Sequence, residues 1–433
     1  TVMNGGTAQL EYCIIERALT AIHPFPGFSG VVTVRNCTIT DSGTGIYEHR
    51  DPTTYLGRPS SLTVENTTFR NLGTGIVASP RFDAITGCRF ENLQVAIRLR
   101  PSTGGNTFAA DDLNRISNNT YINNAVNIVL GDGGSLEASL TLPSSVDGQP
   151  LVLGSFEILP NTALTVPAGA TVLMEQGAQI IVGGGLQAVG TADAPIRFVP
   201  AQTTNRRDWW VGFLFASGGT GQLEHCLFEG ASIAVRNVSN NPPTLSHCTF
   251  RNNRTGIGGF NATFTAANSL FNDNDIGIDI GAGSLVVFGS AFFGNAVGVR
   301  VGGSGNATIR NSMFVANAQF AVQNTRSDNV VVDAKQNWWN SQNGPSHPSN
   351  PQGDGDRVSD KVDFSDWLTS APANSPPSKP TILAPLANSR VPTPLVVRLT
   401  ATDPDIAQRL KFKLELSTDN FNTIARTFDQ TVS

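Results

Sequence analysis

The chain is poor in charge: Asp, Glu, Lys and Arg together supply only 15% of its 433 residues. Long solvated helices need more than that, so a mainly helical architecture is disfavoured. Lysine is scarcest. Lys335, Lys361, Lys379, Lys411 and Lys413 are the full set, which leaves arginine as the only strong cation of everything before them. A net charge of −5 with scattered arginines gives no electrostatic footprint for nucleic acid. No apolar run reaches the ~18 residues of a membrane span. The first residues lack the pattern of a signal peptide, so either a targeting segment has been removed or the chain is an internal piece. The five cysteines, Cys13, Cys37, Cys88, Cys226 and Cys248, are an odd number with no CxxC spacing, which speaks against a full disulfide framework and against a close thiolate metal motif.

Glycine (43), proline (25) and phenylalanine (24) are plentiful, a composition suited to many short strands joined by turns. A repeat organises them. SHCTFRNNRTGI from Ser246, ANSLFNDNDIGI from Ala267 and FGSAFFGNAVGV from Phe288 each begin 21 residues after the one before. Units of this period bury a core only against their neighbours. Aligned on the small residue two before the aromatic, one slot holds Cys13, Cys37, Thr67, Cys88, Asn119, Cys226, Cys248, Ser269, Ser290 and Ser312. Two residues on stand Ile15, Ile39, Phe69, Phe90, Tyr121, Phe228, Phe250, Phe271, Phe292 and Phe314, which read as one unbroken hydrophobic column. A second column, nine residues after the slot, contains Ile22, Ile46, Ile76, Ile97, Ile128, Val235, Ile257, Ile278 and Val299, with Val322 slipped by one. Slot and aromatic alternate with the period of a strand, and the fixed offset is too short for a crossover helix. The expected fold is therefore all-β: a right-handed parallel β-helix, or solenoid, with like residues stacked on like.

The residue before the slot is Asn36, Asn66, Asn118, Asn268 or Asn311 in half of the coils, and these are expected to form an asparagine ladder bonded amide to amide. A looser second row is Asn71, Asn92, Asn123 and Asn252. His225 and His247 fill the first row in adjacent coils. Two imidazoles stacked roughly 4.8 Å apart suit a metal ion, but the Tyr and Asn of neighbouring coils favour reading them as ladder substitutes. The adjacent cysteines then point inward as reduced core residues, with a Cys226–Cys248 disulfide between stacked coils as the geometric alternative.

Residues 131–200 keep strand alternation without the asparagine rows. ALTVPAGATVLMEQGAQIIVGGGLQAVGTADAPIRFVPA there, RDWWVGFLF from Arg207, and NWWNSQNGPSHPSNPQGDGDRVSDKVDF from Asn337 together resemble the opening and closing coils of bacterial parallel β-helix proteins of the pectin-lyase-like superfamily. That resemblance covers residues 1 to about 368 and implies architecture rather than activity, since the superfamily holds lyases, hydrolases, epimerases, adhesins and passive stalks. GGTAQLEYC (Gly5 to Cys13) matches GGTGQLEHC (Gly218 to Cys226) at an offset of 213, as in a window onto a tandem array. The expected organisation is coils over 1–130 as a partial first unit, connecting or opening coils of a second unit over 131–200, further coils over 201–345, a closing cap over 346–368, a Pro/Ser-rich linker over 369–379, and from 380 to 433 a truncated β-sandwich that resembles the start of an immunoglobulin or fibronectin-III module.

Two coils are longer than the rest, and both insertions follow the second column, so they leave from one corner of the solenoid. Tyr47, Glu48, His49, Arg50, Asp51 and Tyr55 lie in or before the first; Arg98, Arg100, Asp111 and Asp112 flank or lie in the second. Carboxylates, arginines, a histidine and tyrosines are the groups that bind sugars and serve as acid and base. The plain alternative is a pair of solvated loops on a rod. Asp354, Asp356 and Asp360 are the densest carboxylates and form a candidate Ca²⁺ cluster, against an ordinary capping turn. No other cofactor is indicated. Lyases of this fold use clustered carboxylates with Arg or Lys as base, and the GHG and RIK signatures of polygalacturonases are absent, as are G-x-S-x-G and H-E-x-x-H. The sequence therefore reads first as a non-catalytic structural or adhesive segment of a large secreted or cell-surface bacterial protein, with glycans or copies of itself as partners. The alternatives are a polysaccharide lyase or glycoside hydrolase working between the long loops, and a carbohydrate-binding module.

Overall fold

The computed structural model describes residues 6–23, 31–48, 61–79, 82–100, 110–131, 133–202, 206–239, 241–260 and 262–372, and beyond them 381–384, 398–400, 410–416 and 426–432. Strand after strand alternates as its sequence demands: in Val31–Arg35, Val32 and Val34 face inward while Val31, Thr33 and Arg35 face out. Each strand pairs in parallel with the equivalent strand one coil away, and the described coils form a right-handed parallel β-helix.

One sheet runs through both halves. Its thirteen strands begin at Thr20–Ile22 and end at Met313–Val315. The other two faces are interrupted. In the first half they are five-stranded sheets, ending at Ile116–Ser117 and Thr120–Ile122. In the second half they are new sheets of nine and ten strands, beginning at Ser135–Leu136 and Leu140–Thr141.

This interruption corrects the expected columns. Phe69, Phe90 and Tyr121 stack in one five-stranded sheet, and that stack ends at Tyr121. The second aromatic stack, Phe198, Phe228, Phe250, Phe271, Phe292 and Phe314, lies instead in the long shared sheet and is capped by Trp339 just beyond its last strand, with centroids 4.8–5.2 Å apart. Along that sheet it continues Ile22, Ile46, Ile76, Ile97 and Ile128, the aliphatic column of the first half. Residues 131–200 therefore wind on with the repeat motif resuming one face further round the helix. Motif alignment counts residues and cannot see which face they occupy.

The expected asparagine ladder is displaced as well. Asn36, Asn66, Asn118, Asn268 and Asn311 all have φ between 47° and 59°, and so do His225 and His247 in the same row. The row is a left-handed turn position, for which Asn is the best non-glycine residue. None of these five amides is bonded to another. In the second row, left-handed too, Asn92 donates to Asn71 (3.3 Å) and Asn71 to Asp41 (2.9 Å) on the surface.

The buried ladder stands three residues after the aromatic. Asn253, Asn274 and Asn295 are fully buried and Asn317 nearly so. Nδ2 of Asn253 donates to Oδ1 of Asn274 (3.1 Å), Asn274 to Asn295 (2.9 Å), and Asn295 to Asn317 (3.0 Å). The same Oδ1 atoms accept the backbone N–H one coil before, and each Nδ2 also donates to a main-chain carbonyl. The slot residues act alike. The N–H of Cys88 donates to Asn119 Oδ1 (2.9 Å), and the N–H groups of Cys248, Ser269 and Ser290 donate to the hydroxyls of Ser269, Ser290 and Ser312 (3.1–3.2 Å). Small side chains with an acceptor are what this position selects. The five cysteines are free thiols; burial pushes Cys88 up to about 12, so it is inert at neutral pH.

After Trp339 the segment to Leu368 closes the end of the second half: Val362–Asp363 adds to the ten-stranded sheet, and Leu368 N–H donates to Asn337 O (3.0 Å). Beyond it the described residues form two antiparallel pairs, Thr381–Ala384 with Arg398–Thr400 and Leu410–Leu416 with Arg426–Val432.

Removing Asn274 leaves several buried donors and acceptors unpaired at ~1–3 kcal/mol each before relaxation. Asn274→Ala is expected to cost about 3 kcal/mol of unfolding free energy in urea, whereas Asn311→Gly, at a left-handed turn, is expected to stay within about 0.5 kcal/mol of the parent. Equal effects of the two substitutions would contradict this assignment.

Candidate functional site

The two long insertions follow two strands of the shared sheet, Thr44–Tyr47 and Val95–Leu99, which flank Thr74–Ala78 on either side. Tyr47 is half-buried at this corner. Arg100 Nη2 donates to its hydroxyl (2.8 Å), the Arg100 guanidinium lies 5.1 Å from the ring centroid, and the His23 ring meets it edge-on at 5.5 Å. Glu48 is 3% exposed and accepts the Ser79 N–H at its Oε2 (3.1 Å), while Ser79 Oγ donates to its carbonyl.

Arg98 takes another direction. It runs outward along the sheet to Glu175, with Nη2 to Oε1 at 2.5 Å and Nη1 to Oε2 at 3.0 Å, and Nη1 also donates to Gly131 O. Glycine is needed on this path: a Cβ on Gly154 would stand 2.8 Å from Glu175 Oε2 and 2.9 Å from Gly131 O. Sequence reasoning missed Glu175, which lies 77 residues from Arg98 in the coils without the repeat motif. Below the ion pair, Val129 and Val152 on the outward side of the sheet form a small buried apolar cluster with Val95.

The second insertion ends in the short helix Ala110–Asn114. Asp111 is exposed there, and Asp112 is 2% exposed. Asp112 is paired with Arg115 Nη1 (3.2 Å), which donates also to Phe82 O (2.7 Å). The described candidates thus divide into Tyr47 with Arg100, Glu48 with Ser79, Arg98 with Glu175, and Asp112 with Arg115. Glu48, Asp112 and Glu175 are each engaged by a structural partner, while Asp111 is exposed. His49, Arg50, Asp51 and Tyr55 lie outside the described residues.

The three aspartates of the expected cation cluster are dispersed. Asp356 ends the buried asparagine ladder: its oxygens accept the N–H groups of Ala316 (2.9 Å) and Asn317 (2.8 Å) and Nδ2 of Asn317 (2.8 Å). Burial raises its pKa, and these donors act the other way. Asp354 is held by Ser341 and Asn343, the Ser341 hydrogen bond lowering its pKa, and Asp360 lies 3.2 Å from His347 Nε2. Each satisfies a different turn, so they do not converge on one point.

Near the interruption, a cleft of about 240 Å³ opens between the halves, lined among others by Leu113, Ile116, Pro143, Val146 and Asp147. Asp147 takes the place of a slot residue there: it accepts the N–H (3.0 Å) and Nδ2 (2.8 Å) of Asn119 and the hydroxyl of Tyr121 (3.1 Å). Burial pushes the Tyr121 phenol far above its ordinary value, and Asp147 adds to the shift.

Compared with known proteins, residues 206–344 match the family described as a right handed beta helix region. No curated protein and no solved structure gives a match. The matched stretch is the regular part of the second half and speaks to architecture, not to chemistry.

Because Asp356 acts as a ladder terminus, Asp356→Ala is expected to lower the melting temperature by several degrees, from the loss of three hydrogen bonds to about 3 kcal/mol. Adding Ca²⁺ or EGTA to the parent is expected to leave that temperature unchanged. A calcium-dependent rise that Asp356→Ala abolishes would restore the cation reading.

Proposed function

We propose that this chain is a stiff rod: a structural or adhesive segment of a large secreted or cell-surface bacterial protein, in which β-helical coils are followed by an immunoglobulin-like module. The observation that carries the reading is the shared sheet, which passes without a break through the point where the other two faces are interrupted. Thirteen strands at ~4.8 Å spacing make a rod roughly 60 Å long. The engagement of Glu48, Asp112 and Glu175 by structural partners supports a non-catalytic role, as does the Tyr47 ring, already met by Arg100 and His23. The antiparallel pairs after residue 380 support the module, and glycans or further copies of the chain are the partners such a surface would meet.

A glycosidase or lyase at the corner remains the competing reading. The purified chain is to be incubated with a panel of acidic and neutral polysaccharides, with release of reducing ends and of unsaturated uronate followed by colour and by ultraviolet absorbance. The expected result is no turnover. Cleavage that Glu48→Gln, or Asp111→Asn with Asp112→Asn, abolishes would overturn the structural reading; retention on a glycan array without cleavage would instead make the corner a binding module.

A further inference from the structure

His225 and His247 occupy the same left-handed turn in adjacent coils, with φ of 48° and 53°. Their rings lie parallel on the outside of the helix, centroids 4.7 Å apart at an interplanar angle of 18°. Left-handed tolerance explains why histidine is accepted at either turn. It does not explain the third group. Glu224 ends the strand Thr220–Glu224 immediately before the first turn, and its Oε1 lies 3.9 Å from His247 Nδ1. One donor atom from each of the three side chains lies within 4.8 Å of the others, and among the described residues this is the group of His, Cys, Asp and Glu that closes to such a distance.

We propose that Glu224, His225 and His247 form a binding site for a divalent transition-metal ion of the zinc type, held across two coils with an open coordination position. Two imidazoles and one carboxylate match zinc better than calcium, which takes six or more oxygens. Tetrahedral ligands at ~2.1 Å from zinc stand about 3.4 Å apart. The His247 ring is exposed, which leaves it room to turn toward such a position. Both imidazoles must be neutral to ligate. Cys226 and Cys248 take no part: they point inward, where their thiols donate to the carbonyls of Ala188 and Leu223. A fourth ligand comes from water or from a side chain of another molecule. The site is independent of the rod reading, since it needs only this one pair of coils.

The test is calorimetric titration of the full chain with Zn²⁺ at pH 7.5, with Co²⁺ as the spectroscopic probe. Wild type is expected to bind one ion at this site and to give the visible absorption of tetrahedral Co²⁺. The double variant His225→Asn with His247→Asn is expected to weaken binding at least tenfold with an unchanged far-ultraviolet spectrum, because Asn268 holds the same turn in the next coil. Glu224→Gln is expected to weaken it less, and His347→Asn not at all. Absence of Zn²⁺ binding by wild type, or equal affinity in wild type and the double variant, would overturn the site. Should the double variant fail to fold, Zn²⁺ protection of His225 and His247 from diethylpyrocarbonate, mapped by mass spectrometry, decides the matter: protection supports the site and full modification refutes it.

Discussion

The structure depends on one recurring bond: a turn N–H in one coil given to a side-chain acceptor in the next. Parallel sheets satisfy the strands but leave the turn amides between them unpaired in the interior, at a cost of ~1–3 kcal/mol each if buried. Asn274, Asn295 and Asn317 solve this at one corner, and Ser269, Ser290 and Ser312 at another. At its end the asparagine row stops on Asp356, whose two oxygens accept without requiring any further acceptor above. A carboxylate is the natural terminus for a row of donors. This accounts for Asp356 at the end of the second half without a cation.

The same bond explains how the two halves join. Where Tyr121 ends its stack, Asp147 supplies the acceptors for Asn119 and Tyr121 that the next coil would otherwise provide. The interrupted face at Tyr121 is closed off in this way while the shared face carries on. Because that face is shared, aliphatic residues of the first half stack directly into phenylalanines of the second, from Ile128 through Leu151 towards Phe198 and Phe228. Continuity of one sheet resists bending at the join; interruption of the other two leaves the cleft there.

Much of the fold was legible in the sequence because a solenoid writes each contact many times. The slot, the aromatic and the aliphatic positions recur at fixed offsets, and all of them are inward positions of strands or turns. What the sequence could not separate was three kinds of asparagine. Asn252 and Asn253 are neighbours: the first bends the chain at φ 50°, and the second is buried and bonded to Asn274. Conformation and burial distinguish them, whereas composition does not. The rotation of the motif by one face was equally hidden, for residue counts do not record direction.

Among the candidate residues, contacts between ends of one sheet were foreseeable from the repeat and contacts across the interruption were not. Tyr47 and Arg100 come together because they end strands of one sheet. Glu175 escaped notice because its link to Arg98 passes over Gly131 and Gly154, positions without side chains in coils without the motif. Glu224 escaped for a different reason. In the sequence it is one of the polar residues that alternate outward along a strand, unremarkable beside His225. Only the stacking of coils brings His247 to it, twenty-three residues later. A repeat therefore conceals chemistry in two ways: by interruption, where partners lie far apart in the chain, and by regularity, where a carboxylate and two imidazoles each occupy a position that the fold accepts on its own.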